Sequence, residues 1–166
     1  MANNVRPIPE GYHALTPSLA CRNAAKAIEY YKKVFGATEK MRMDGPGGKV
    51  IHAELQFGDS VLFVNDEFPG LSEGPKEGQL PSSSVFLYAQ DVDATFARAL
   101  AEGGTSVMPP ENMFWGDRYG TVRDPFGHQW GIATHVEDVS PEEMQKRSEA
   151  FAASMAARAT KAAGQG

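Results

Sequence analysis

Two residues able to trade a proton, His52 and Glu54, lie in the alternating stretch "VIHAELQFG" between Val50 and Gly58. Residues two apart on an extended strand point to the same side, so the imidazole, the carboxylate and Gln56 share one face. Such a pair could act as acid and base near neutral pH, hydrogen-bond a polar ligand, or join donors from elsewhere around a metal. Two donors on one strand are too few to make a metal site alone. A second stretch, "FWGDRYGTVR", gathers Phe114, Trp115, Arg118, Tyr119, Thr121 and Arg123. Adjacent aromatics followed by Gly, Asp and Arg suit a loop over a cavity mouth, where stacking and a few polar contacts hold organic molecules. Asp117 and Arg118 are equally suited to pairing with each other.

These residues must be positioned by secondary structure, and the chain reads as one pattern written twice. "YHALTPSLAC" reads as a strand, and "NAAKAIEYYKKVFG" as a helix with Ala24, Ala27, Ile28, Tyr31 and Phe35 on one face, Asn23 as its cap and Gly36 at its end. The strands "GATEKMRM", "VIHAELQFG" and "SVLFV" follow. After the Gly-, Pro- and Ser-rich segment 68–83, "VFLYAQ", "DVDATFARALAEGG", "TSVMPP", "DRYGTVRDP" and "HQWGIAT" repeat the order. Ile28 and Phe96 are 68 positions apart, as are Gly36 and Gly104, while Phe57 and Phe126 of the two Phe-Gly pairs are 69 apart. The last spacing sets His52 against Thr121 and Glu54 against Arg123. Ser140, Pro141, Glu142 and Glu143 then form a strong helix start.

A chain of 166 residues with 42% hydrophobic and 22% charged residues can bury one good core. Its net charge of -5 disfavours a nucleic-acid partner, which requires a basic face. No apolar run approaches the roughly 20 residues of a membrane span, and "MANNVRPIPEGYH" lacks the regions of a signal peptide. With Cys21 as the lone cysteine, a cytoplasmic location is expected.

Two βαβββ modules, the helix "AIEYYKKVFGA" and the run "DRYGTVRDPFGHQWGIATHVED" together resemble the vicinal oxygen chelate superfamily of glyoxalase, bleomycin-resistance and dioxygenase proteins, and within it the PhnB-like subgroup. The resemblance implies an α+β fold in which two modules, about 12–67 and 84–138, form a half-open barrel within a domain spanning 12–138. A leader covers 1–11, and a C-terminal helical tail 139–166. It also implies a homodimer, and a metal held by the first and fourth strands of each module. Those positions fall at Thr16, Leu62, Ser84 and Gly131, none a usual ligand, so no metal cofactor is expected.

In the resembling fold His52 and Glu54 face a cavity shared with Tyr119, Thr121 and Arg123, and three readings are open. Glu54 and Arg123 form an ion pair across the modules. Alternatively, the cluster binds a small organic molecule, with Phe114, Trp115 and Tyr119 stacking. In the third reading His52 or Glu54 is a general base or an atypical metal ligand, in a lyase, isomerase or dioxygenase-like enzyme. His128 is expected to stabilise its turn, His135 to be solvated, and His13 to point away from the cavity. The expected function is metal-independent binding of a small organic molecule, with neither nucleic acid nor membrane as partner.

Overall fold

The structure is a computed structural model that describes residues 5–163. The elements run β1 (Ser18–Cys21), α1 (Ala24–Phe35), β2 (Thr38–Asp44), β3 (Val50–Phe57), β4 (Ser60–Asp66), β5 (Ser84–Tyr88), α2 (Val92–Ala101), β6 (Thr105–Asn112), β7 (Asp117–Arg123), β8 (Gln129–His135) and α3 (Pro141–Ala163). Each module folds into a mixed four-stranded sheet, ordered β1-β4-β3-β2 and β5-β8-β7-β6. This is the expected pair of βαβββ modules with a C-terminal helix. The sheets remain separate and close no barrel.

The helices start and stop where their sequence says. Asn23 caps α1 by accepting from the Lys26 amide, and Asp91 caps α2 by accepting from Ala94. Gly36 ends α1 with φ at 71°, a left-handed conformation that side chains disfavour. Below each helix the repeat recurs in chemistry: the Asp66 carboxylate accepts from the Ala24 amide of α1, while the Thr134 hydroxyl, 68 positions on, accepts from the Val92 amide of α2.

The modules meet through their helices, and one apolar cluster spans both. Ala24, Ala27, Ile28, Tyr31 and Val34 are buried on α1. Trp130 of β8 packs on them, its ring centroid 5.0 Å from Tyr31 and 4.5 Å from Phe35. Buried Asp124 ties the modules further, accepting from the Tyr31 hydroxyl at 2.7 Å, from Trp130 Nε1 at 3.0 Å, and from the amides of Phe126 and His128. His128 Nε2 lies 3.0 Å from the Ala20 carbonyl and 3.6 Å from Cys21 Sγ, holding the turn against β1. Cys21 is fully buried, and its burial, with Asp124 nearby, pushes the thiol pKa up to about 12.

Two details depart from the sequence expectation. Strand β6 runs through Pro109 and Pro110 rather than ending there, which an edge strand tolerates where its pairing is interrupted, because prolines have no N–H to give to the ladder. The ladder is irregular between Met108 and Glu111, where those prolines sit. His135 is not merely solvated: its Nδ1 meets Asp117 at 2.8 Å and its Nε2 meets Asp138 at 3.0 Å.

Candidate functional site on two open sheet faces

Each sheet lays one face on the helices and leaves the other open. On β3, Ala53 and Leu55 enter the core, so His52, Glu54 and Gln56 take the open side. On β7, Val122 enters the core, leaving Asp117, Tyr119, Thr121 and Arg123 on the open side. The candidate residues therefore divide between two faces of one chain.

The ladder corrects the alignment of those faces. Helix starts are 68 apart, and Phe63 and Gly131, also 68 apart, face Ser18 and Phe86 in the parallel pairs. Across the hairpins Glu54 faces Phe63 and Thr121 faces Gly131. Glu54 thus matches Thr121, His52 matches Tyr119 and Gln56 matches Arg123, a spacing of 67. The Phe-Gly pairs misled by two positions because Gly58 and Asp59 join β3 to β4, whereas residues 124–128 join β7 to β8.

The first face is built around Glu54, whose side chain is only 12% exposed. The Tyr12 hydroxyl donates to Oε2, and His52 Nε2 lies 3.4 Å from Oε1. Tyr12 is the main cause holding the Glu54 carboxyl below the ordinary range, with His52 adding to it against the effect of burial. The expected pair with Arg123 is not formed: Glu54 is served by Tyr12 and His52, and Arg123 belongs to the other face. Tyr12 also lies beside Phe63, centroids 6.3 Å apart, with Lys40 Nζ 4.5 Å from its own ring centroid. Residues 7–14 thereby roof a cleft of about 460 Å³ above Glu54, Phe63 and Thr16. His13 lines this cleft instead of pointing away.

Aromatic rings dominate the second face. Phe86 and Tyr119 stack with centroids 5.4 Å apart and planes 6° from parallel. They sit over Gly131, where an added Cβ would come within 2.8 Å of Tyr119 and 3.2 Å of Phe86. Trp115 leans on Tyr119 at 5.9 Å, Phe114 contacts Trp115 at 5.1 Å, and Phe151 of α3 contacts Phe114 at 5.1 Å. Buried Asp117 accepts from the Tyr88 hydroxyl at 3.0 Å and Trp115 Nε1 at 2.9 Å, fixing both rings, while its other oxygen holds His135. Asp138 first, then Asp117, raises the His135 pKa above its ordinary value. The Thr121 hydroxyl donates to the Tyr119 oxygen at 3.0 Å.

Two anticipated residues lie elsewhere. Arg118 is on the helix side of β7, where Nε and Nη2 each reach an Asp93 carboxylate oxygen on α2 at 2.7 Å. It pairs with Asp93 rather than Asp117 and faces away from the open side. Leu62 is buried in the core at 3% exposure, and its neighbour Phe63 takes the open-face position matching Gly131. Sequence reasoning missed Tyr12, Phe86 and Tyr88, and gave Asp117 and His135 other roles. The alternation of "SVFLY" carried a signal for Phe86 and Tyr88, since Val85 and Leu87 are the residues packed on the core.

Metal chemistry of the kind implied by the resemblance needs imidazole, thiolate or carboxylate groups converging from the first and fourth strands. Thr16, Phe63, Ser84 and Gly131 supply none, and Leu62 faces the wrong way. Among the described residues, no three His, Cys, Asp or Glu side chains are grouped so that they could hold an ion. The residues at these positions do not fit the metal.

Two helix-linked βαβββ modules with these open faces define a class, and the sequence agrees: the chain belongs to the Glyoxalase/Bleomycin resistance protein/Dioxygenase superfamily, matching it over residues 13–132. It is 42% identical over 151 residues to the uncharacterized protein Mb0911c of Mycobacterium bovis, covering 87% of this chain and 94% of that one. Among solved structures it resembles TioX from Micromonospora sp. ML1, with 27% identity, a TM-score of 0.60, and coverage of 75% of this chain and 99% of that one. The PhnB protein from Bacillus cereus shares the fold, with 18% identity, a TM-score of 0.59, and coverage of 74% and 99%. Helix α3 lies beyond the residues matched to the family.

Proposed function

We propose that this protein binds a small organic molecule by stacking and hydrogen bonding, without the usual metal of its superfamily, as a cytoplasmic homodimer. The observation that carries the reading is the ring row of Phe86, Tyr119 and Trp115, fixed from below by Gly131 and from the side by Asp117. Rings held in place lose little freedom when a flat ligand settles on them. Pairing with a second copy is supported by large apolar side chains left on both open faces: Met41, Met43, Phe86 and Tyr88 are 41%, 52%, 50% and 63% exposed. Among the described residues, no helix is long and apolar enough to cross a membrane.

A thermal-shift series with aromatic compounds, dicarbonyl compounds and divalent metals tests the reading. An aromatic compound should raise the Tm of the wild type but not of Tyr119→Ala, because a ligand of the native state stabilises it by mass action. A stoichiometric divalent ion that His52→Ala removes would overturn it.

A second reading, a lyase, isomerase or dioxygenase-like enzyme, draws support from the ionised Glu54 carboxylate beside His52. In that case Glu54→Gln should abolish turnover of a bound compound while leaving its Kd unchanged.

A further inference from the structure

Arg123 stands apart from every other cation near the two faces. Its Nε is the one buried side-chain nitrogen or oxygen without a hydrogen-bond partner among the described residues. Among the described residues the rest of its guanidinium likewise makes no hydrogen bond or ion pair, whereas Arg118 is held by Asp93 and Arg147 by Glu137 and Glu143. The buried Nε–H is left without an acceptor while the two terminal nitrogens remain open to a partner from outside the chain, and the acceptor that suits such a planar fork is a carboxylate.

The neighbours decide where that carboxylate comes from. Glu54 is the acid on the opposite module's face, but it is already engaged by Tyr12 and His52 and roofed by residues 7–14, so it is poorly placed to serve a second copy. On its own face Arg123 follows Thr121 by two residues, and Thr121 lies in register with Gly131, the seat of the Phe86–Tyr119 stack. Two residues along a strand span about 7 Å. The backbone of Arg123 therefore stands about 7 Å along the strand from the row that carries the ring stack, within the length of an arginine side chain.

We propose that the ligand of the second face is an aryl carboxylate, its ring on the Phe86–Tyr119 stack and its acid group on Arg123. This rests on the stacking reading above and names the ligand's chemical class.

Calorimetric titration with 2-naphthoate, 2-naphthamide and 2-naphthylmethylammonium, which share a ring and differ in charge, tests it at fixed ionic strength. The wild type should bind naphthoate about tenfold or more tighter than naphthamide, as a charge-assisted hydrogen bond provides, and the ammonium weakest of the three. Arg123→Gln should bring naphthoate down to the naphthamide level without changing the naphthamide Kd, which also shows that the site is still folded. Arg123→Lys, which keeps the charge but not the fork, should retain part of the preference. If naphthoate and naphthamide bind equally, the acid inference falls and stacking stands; if none of the three binds, both fall. If Arg123→Gln leaves the naphthoate preference intact and instead dissociates a dimer in light scattering, the guanidinium serves a second copy and the inference is overturned.

Discussion

The two modules share one scaffold and present different chemistry on it. In the first, the open face holds a carboxylate beside an imidazole, roofed by residues 7–14 through Tyr12. In the second, stacked rings lie on the surface, a buried aspartate steadies the neighbouring Trp115 and Tyr88, and the Arg123 Nε has no acceptor among the described residues. Repetition preserves what the helices need, down to Asp66 and Thr134 serving matching helix starts, and leaves the open faces free to diverge. The module boundary therefore separates a carboxylate–imidazole face from an aromatic one more sharply than it separates two pieces of core.

The turns give the largest expected contrast. Asp124→Ala in the second module strips acceptors from Tyr31, Trp130 and the amides of Phe126 and His128, so it should cost about 3 kcal/mol or more. Asp59→Ala in the matching turn of the first loses only an exposed contact with Ser60 and should stay within about 0.5 kcal/mol. Urea unfolding measures both, and equal losses would break the contrast. Next in size, Asp117→Ala unties Tyr88, Trp115 and His135 and should cost about 2 kcal/mol, with a change in near-ultraviolet circular dichroism as the rings loosen.

On the first face, Tyr12→Phe should cost less than either aspartate change, and its pH dependence sharpens the comparison. The Glu54 carboxyl is held below its ordinary 4.5, so its contribution is present above that value and is lost as pH falls through the lower native one. Removing the Tyr12 hydroxyl should move that loss upward toward pH 4.5. The smallest effect concerns His135, whose pKa lies above 6.5: its contribution is complete below 6.5 and fades as pH rises through the native value. A proton NMR titration should show the His135 midpoint falling in Asp138→Asn, and an unchanged midpoint would remove Asp138 from the account.

The sequence made the fold legible because the repeat, the caps at Asn23 and Asp91 and the glycine at 36 act locally. It made the faces only partly legible. Alternation placed His52 with Glu54, and Tyr119 with Thr121, correctly, since strand period alone sets which side a residue takes. Partners across strands depend on register, and turns of unequal length shifted that by two positions, which is why Glu54 was matched to Arg123 rather than Thr121. Arg118 and Leu62 were misplaced for a related reason: neighbours one residue apart face opposite ways. Tyr12 could not have been connected to Glu54, 42 positions away, by any local pattern.

The buried Cys21 has a practical corollary. With its sulfur sealed in the core and its proton held until about pH 12, the folded chain offers no thiolate to maleimides, iodoacetamide or mild oxidants. Alkylation at this single site can proceed only when the structure around β1 opens, so the labelling rate is a built-in clock for that opening and needs no engineered reporter.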